Sequence, residues 1–131
     1  MNWTKQSESY RNTGVILMKS IEWWRGVSNH MWRTYFALQR DGFDWDKLSL
    51  PDRRIYAVCH HVYLKDFVKS DQDILQMYFT TRWGDDQYAV EDYSLKHNIP
   101  TKVIWMVIRR ANRTVMEECG FLERKEDVND G

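Results

Sequence analysis

Proline and glycine are scarce in this 131-residue chain, at 2 and 6. So few chain breakers exclude a collagen-like, linker-rich or low-complexity protein. Two cysteines, Cys59 and Cys119, make neither a disulfide framework nor a zinc site. No charge-free stretch approaches the roughly 18–20 apolar residues of a membrane span. No compact apolar run ending in small residues marks a secretory leader. Neither sign of charge is in excess, with 19 Lys and Arg against 19 Asp and Glu. There is no Gly-rich phosphate loop, no Gly-x-Ser-x-Gly and no His-Glu-x-x-His. The expectation is one reduced, cytoplasmic domain with no cofactor, no membrane partner and no enzymatic activity.

Aromatic residues are plentiful: 7 Trp, 7 Tyr and 5 Phe make up 15% of the chain. Their first expected role is packing, since most aromatics are largely buried. Nearly the whole chain reads as helix. Val15 to about Arg40 carries Ile21, Trp24, Val27, Met31, Tyr35 and Leu38 at helical spacing, and Asp41-Gly42 stops it. Phe43 to Leu50 reads as a loop anchored by Trp45.

Ser49-Leu50-Pro51 starts a second helix. It sends Ile55, Val58, Cys59, Val62 and Phe67 inward and ends near Lys69. Ser70 is the expected cap of a third, Asp71 to about Arg82, with Ile74, Leu75, Met77, Tyr78 and Phe79 inward. Gly84-Asp85-Asp86 breaks it. A short helix, Gln87 to His97, buries Ala89, Val90, Tyr93 and Leu95. After Asn98-Ile99-Pro100, Thr101 is the expected cap of a last helix, Lys102 to Cys119, closed by Gly120. The expected fold is all-α, a compact bundle of about five helices ending in a helix-turn-helix. Residues 1–122 form its single domain, and 123–131 an acidic, disordered tail.

Charge is unevenly placed. From Tyr93 to Met116 there are five basic residues and no acid, whereas Glu117 to Gly131 holds six acids and two bases. A local basic stripe is a candidate phosphate-contacting surface. It lies where two helices meet through a tight turn, and the residues there meet the steric demands of a helix-turn-helix. Tyr93 is apolar and Ser94 small at the crossing. Asn98 tolerates the left-handed turn, Ile99 follows it, and Ile104 and Val107 lock the second helix. His97 stands where an aliphatic residue is usual.

In the order of these parts, residues 71–119 resemble region 4 of bacterial sigma factors and the related phage late-gene transcription regulators. Those are of the RinA/ArpU type and, more distantly, the Q-type antiterminators. The resemblance rests on Asp73-Ile74-Leu75-Gln76-Met77-Tyr78-Phe79, the short helix, Asn98-Ile99-Pro100-Thr101, and a long helix with Ile104, Val107, Ile108 and Ala111 inward. It implies a phage-encoded regulator that binds double-stranded DNA and bacterial RNA polymerase or another host protein. It also implies that Thr101, Lys102, Trp105, Met106 and Arg109 reach base edges, while Lys96, Arg110 and Arg113 neutralise phosphates.

A second reading is a helical adaptor or inhibitor of a host protein that does not read DNA. Packing is then the role of Trp105 and Met106. Trp24 and Trp32 fall near one helix face, and Trp23 is offset by about 100°. Trp3 and Trp23 are therefore the candidate protein-interface aromatics, with core or homodimer packing as the alternative. His60-His61 make a poor metal site, because adjacent helical residues diverge. Asn112-Arg113-Thr114 is a sequon read as a chance match.

Overall fold

In the computed structural model, which describes residues 23–123, five α-helices pack around one core and no strand occurs among the described residues. The expected helical start at Val15, Trp3 and Ile21 lie outside the described residues, as does the tail from Arg124 onward.

Helix α1 is Trp24–Asp41 and buries Trp24, Ser28, Met31, Trp32, Tyr35 and Phe36. The stripe is rotated from the expected one: Val27 is 40% exposed and Leu38 is half-buried. Trp32 and Phe36 take their place, because turning these rings inward removes far more apolar area from water than a valine offers. Gly42 ends α1 at φ 79°, its N–H bonding Leu38 C=O. A 3-10 turn, Trp45–Lys47, follows. Trp45 does anchor it: its ring meets the Tyr56 ring edge-on, and Arg53 lies over it and donates to the Trp45 and Asp46 carbonyls.

Helix α2, Leu50–Asp66, is capped by the Ser49 hydroxyl, which accepts from Asp52 N–H at 3.2 Å. It stops at Asp66 rather than near Lys69, because burying Phe67 requires an extended backbone there. The Gln72 amide bridges the Tyr63 and Phe67 carbonyls, each at 2.9 Å, and holds this corner. Helix α3, Lys69–Phe79, therefore begins before Ser70, which sits in its first turn and is not its cap. Asp73 pairs instead with Lys69 at 2.9 Å. The helix ends at Phe79, short of Arg82, because the Thr80 and Thr81 hydroxyls occupy the Gln76 and Met77 carbonyls.

Helix α4, Asp86–His97, has Val90 as its one fully buried residue. Leu95, expected inside, is 83% exposed. Helix α5, Thr101–Glu118, buries Ile104, Val107, Ile108, Ala111, Asn112, Val115 and Met116 and touches the other four helices. Thr101 is its first residue and not its cap, since the Pro100 carbonyl already accepts from Val103 and Ile104. Gly120 closes α5 at φ 82°, with its N–H on Glu117 C=O and Phe121 N–H on Met116 C=O. This double closure is a Schellman motif.

Trp32 is fully buried where α1 meets α5. Its indole N–H donates to Ala111 C=O at 3.1 Å, and its ring stacks on Phe36 and Phe79. Nearby, Arg33 ties α1 to the α3–α4 loop by donating to Thr81 C=O at 2.7 Å beneath the Trp83 ring. Tyr78 donates to Asp86 at 3.1 Å. Cys59 is fully buried and Cys119 half-buried, both as free thiols, and burial pushes the Cys59 thiol well up.

Two predictions follow from this packing. Trp32→Ala lowers unfolding free energy in urea by about 3–5 kcal/mol, whereas Trp23→Ala, at an exposed ring, changes it by less than about 1 kcal/mol. Burial first, and then Asp86, push Tyr78 up to about 12 from the phenol's usual 10. In the unfolded chain this phenol ionises near its ordinary value, while in the fold it stays protonated. Its contribution is thus complete below about pH 10 and is lost as pH rises toward 12. The urea midpoint falls across that window, and Tyr78→Phe makes the fall shallower.

Candidate nucleic-acid interface

The candidate surface is the outer side of α5 together with the turn that feeds it. Asn98 adopts φ 55° and ψ 48°, a left-handed conformation that asparagine accepts more readily than most residues. Its N–H and that of Ile99 both return to Ser94 C=O, and the Ser94 hydroxyl donates to Ile99 C=O. A small polar residue at 94 thus closes the turn from both sides. Ile104 and Val107 are buried as expected of the locking pair, and Ile99 packs against the core. His97 stacks on the Tyr93 ring at 4.0 Å instead of entering the core. A flat ring-on-ring contact replaces the usual aliphatic one.

At 100° per residue, Lys102, Met106, Arg109 and Arg113 fall within about 60° of each other on α5. They lie opposite the buried stripe. Lys102 and Arg109 are exposed and carry no ion pair among the described residues; Met106 between them is 54% exposed. Thr101 is exposed at the helix start. Trp105 is different: it is half-buried, with its ring edge-on to Tyr78 at 5.6 Å.

The three expected phosphate neutralisers already hold carboxylates. Lys96 pairs with Asp92 at 3.1 Å, Arg113 with Glu117 at 2.9 Å and Arg110 with Asp71 at 3.0 Å. Arg110 also covers the Phe67 ring at 4.5 Å. The Lys96–Asp92 pair is exposed on both sides and contributes little to stability, typically about 0–1 kcal/mol, so it exchanges readily, whereas Glu117 and Asp71 are largely covered and hold their arginines more firmly. The geometry therefore brings Lys102, Met106 and Arg109 together on one outward face, sets Arg110 and Arg113 beside them in paired form, and turns Trp105 partly inward.

Trp23 is 54% exposed and meets Phe121 edge-on at 6.3 Å. Beside it an open cleft of ≈ 670 Å³ runs between α1 and α2, lined by Val27, Met31, Leu50, Ile55, Val58 and Phe121. Sequence reasoning missed this cleft because it assigned Val27 and Ile55 to the core stripe. An apolar stripe wider than one neighbouring helix can cover was the available signal. Among the described residues no group of three or more His, Cys, Asp or Glu could hold a metal ion. His60 instead shares a 2.7 Å hydrogen bond with the Tyr35 hydroxyl. Comparison with protein-family models, with curated proteins and with solved structures returns no match.

The turn makes a direct prediction. Asn98→Val forces a β-branched residue into the left-handed region and costs about 1–2 kcal/mol in denaturant unfolding, whereas Asn98→Gly matches or exceeds the parent.

Proposed function

We propose that the protein is a DNA-binding transcription regulator, phage-encoded, that acts on promoter DNA and host RNA polymerase as a late-gene activator or antiterminator. The observation that carries this reading is the outward face of α5. Exposed Lys102 and Arg109 stand on the helix that a left-handed turn presents. A cationic helix presented by a tight turn is what a major groove admits. In this reading Arg109 and Lys102 take guanine edges or phosphates, and Thr101 and Met106 meet thymine methyls. Trp105 acts as a positioning residue that fixes the turn of α5 carrying Arg109. Lys96, Arg110 and Arg113 exchange their carboxylates for backbone phosphates at the rim. The resemblance to sigma region 4 and to phage late-gene regulators points the same way.

The apolar cleft favours a second reading, that of an adaptor or inhibitor of a host protein. There, Trp23 and the α1–α2 cleft meet a host protein, or a second copy of the chain, and α5 reads no DNA.

Binding to duplex DNA across a salt series separates the two. The first reading expects affinity that falls steeply with salt. Changing Lys102 and Arg109 together to Ala reduces the slope of log K against log salt by roughly 1.8, two phosphate contacts at about 0.9 each. Absence of DNA binding at low salt overturns it and leaves the adaptor.

A further inference from the structure

Among the described residues nothing covers the outer face of α4. Its one fully buried residue is Val90. Tyr88 and Leu95 are 79% and 83% exposed, the two most exposed large apolar side chains among the described residues. At 100° per residue, Tyr88, Glu91, Asp92 and Leu95 fall within about 100° of arc, on the side away from Val90. Together with Asp85 and Ala89 they line an open depression of ≈ 670 Å³. The solvent side of a surface helix ordinarily carries charged and polar residues. A tyrosine and a leucine two turns apart in one depression instead mark a contact surface.

The charges of the depression select what lies on it. Its lining holds three acids, Asp85, Glu91 and Asp92, and no base. Asp85 precedes α4, its side chain caps nothing, and it carries no ion pair among the described residues. Glu91 accepts from Gln87 at 3.0 Å. Asp92 holds only the exposed pair with Lys96, which exchanges readily. DNA is turned away, because its phosphates carry the same sign. A second copy fits no better. Two-fold pairing of α4 with itself, each Tyr88 on the other copy's Leu95, sets the Glu91 and Asp92 carboxylates of both copies side by side. A cationic partner suits every part of the surface. Guanidiniums bond carboxylates and lie over aromatic faces, as Arg53 already lies over Trp45. Asp85 and Asp92 stand seven residues apart, about 10 Å along the axis, which is two turns of a helix laid beside α4.

We propose that this face of α4 docks a basic amphipathic helix of another protein. An aliphatic side chain of that helix fills the depression over Ala89, between Tyr88 and Leu95. Arginines two turns apart on it reach Asp85 at one end and Glu91 and Asp92 at the other. The surface shares no residue with the outward face of α5, so the proposal stands whether or not α5 reads DNA.

The test is fluorescence anisotropy of a labelled alanine-rich peptide, titrated with the full chain. The peptide carries two arginines seven positions apart with leucines between them; a second peptide has glutamates in their place. The expected result is saturable binding of the arginine peptide, about tenfold or more tighter than of the glutamate peptide. Tyr88→Ala and Leu95→Ala, at exposed positions where alanine favours helix, each weaken it by about fivefold or more. Asp85→Lys combined with Asp92→Lys abolishes it. Asp41→Lys combined with Asp66→Lys, the same change of charge at exposed positions on α1 and α2, leaves it unchanged. Helical circular dichroism is retained in each variant. Absence of saturable binding, equal binding of the two peptides, or equal loss in the Asp41/Asp66 control overturns the proposal. Sedimentation of the full chain supplies one more outcome: a dimer that Tyr88→Ala dissociates overturns it in favour of a second copy. Tyr88→Ala leaves the salt dependence of DNA affinity as in the parent, so failure of this proposal and failure of the DNA reading are told apart.

Discussion

Trp32 and its indole hydrogen bond are the constraint on which the bundle depends. The ring is fully buried, and its one polar atom bonds a backbone carbonyl on α5, 79 residues along the chain. That bond sets the contact point between α1 and α5. The ring's stacking on Phe36 and Phe79 then seats α3 in the same layer. Tyr35, edge-on to the indole, reaches across to Tyr56, His60 and Tyr63 on α2. One aromatic network thus defines the mutual placement of four helices, which accounts for the high aromatic content better than any ligand would.

Helix α5 is the element that turns this core into a presented surface. Its inner face is committed to Ile104, Ile108, Ala111 and Val115, which leaves its outer face fixed in direction. Helix α4 contributes little to the core beyond Val90. Its orientation is held through the Asn98 turn and through the Tyr78–Asp86 bond. The most exposed part of the molecule is therefore positioned by the most deeply buried part, with few intervening degrees of freedom.

Much of this was legible in the chain. Gly42, Asn98 and Gly120 each serve a conformation that few other residues accept, and Ser49 supplies a capping hydroxyl, so the helix boundaries they govern fell where local chemistry put them. The misassignments arose where a distant group decided the matter. Ser70 and Val68 both stand near the start of α3, and the burial of Phe67 chose between them. Val27 and Trp32 compete for one face of α1, and the larger ring won. Leu95 had no partner that sequence spacing could reveal to be missing. The charge pattern misled in a simpler way. Asp92 and Glu117 lie just outside the acid-free stretch, one helical turn from Lys96 and Arg113, and so two of its five cations are matched from beyond its ends. The Arg110–Asp71 pair spans 39 residues and has no local signal.

The cysteines make the molecule its own clock. Cys59 sits at zero exposure in the centre of α2, with its thiol held protonated by burial. Only the thiolate reacts with alkylating reagents, and only where reagent can reach it. Cys119 is half-buried at the end of α5, and helix ends open at lower free-energy cost than the core. The two sulfurs therefore report two different events in one sample: labelling at 119 counts excursions of a helix end, and labelling at 59 counts dissolution of the whole interior.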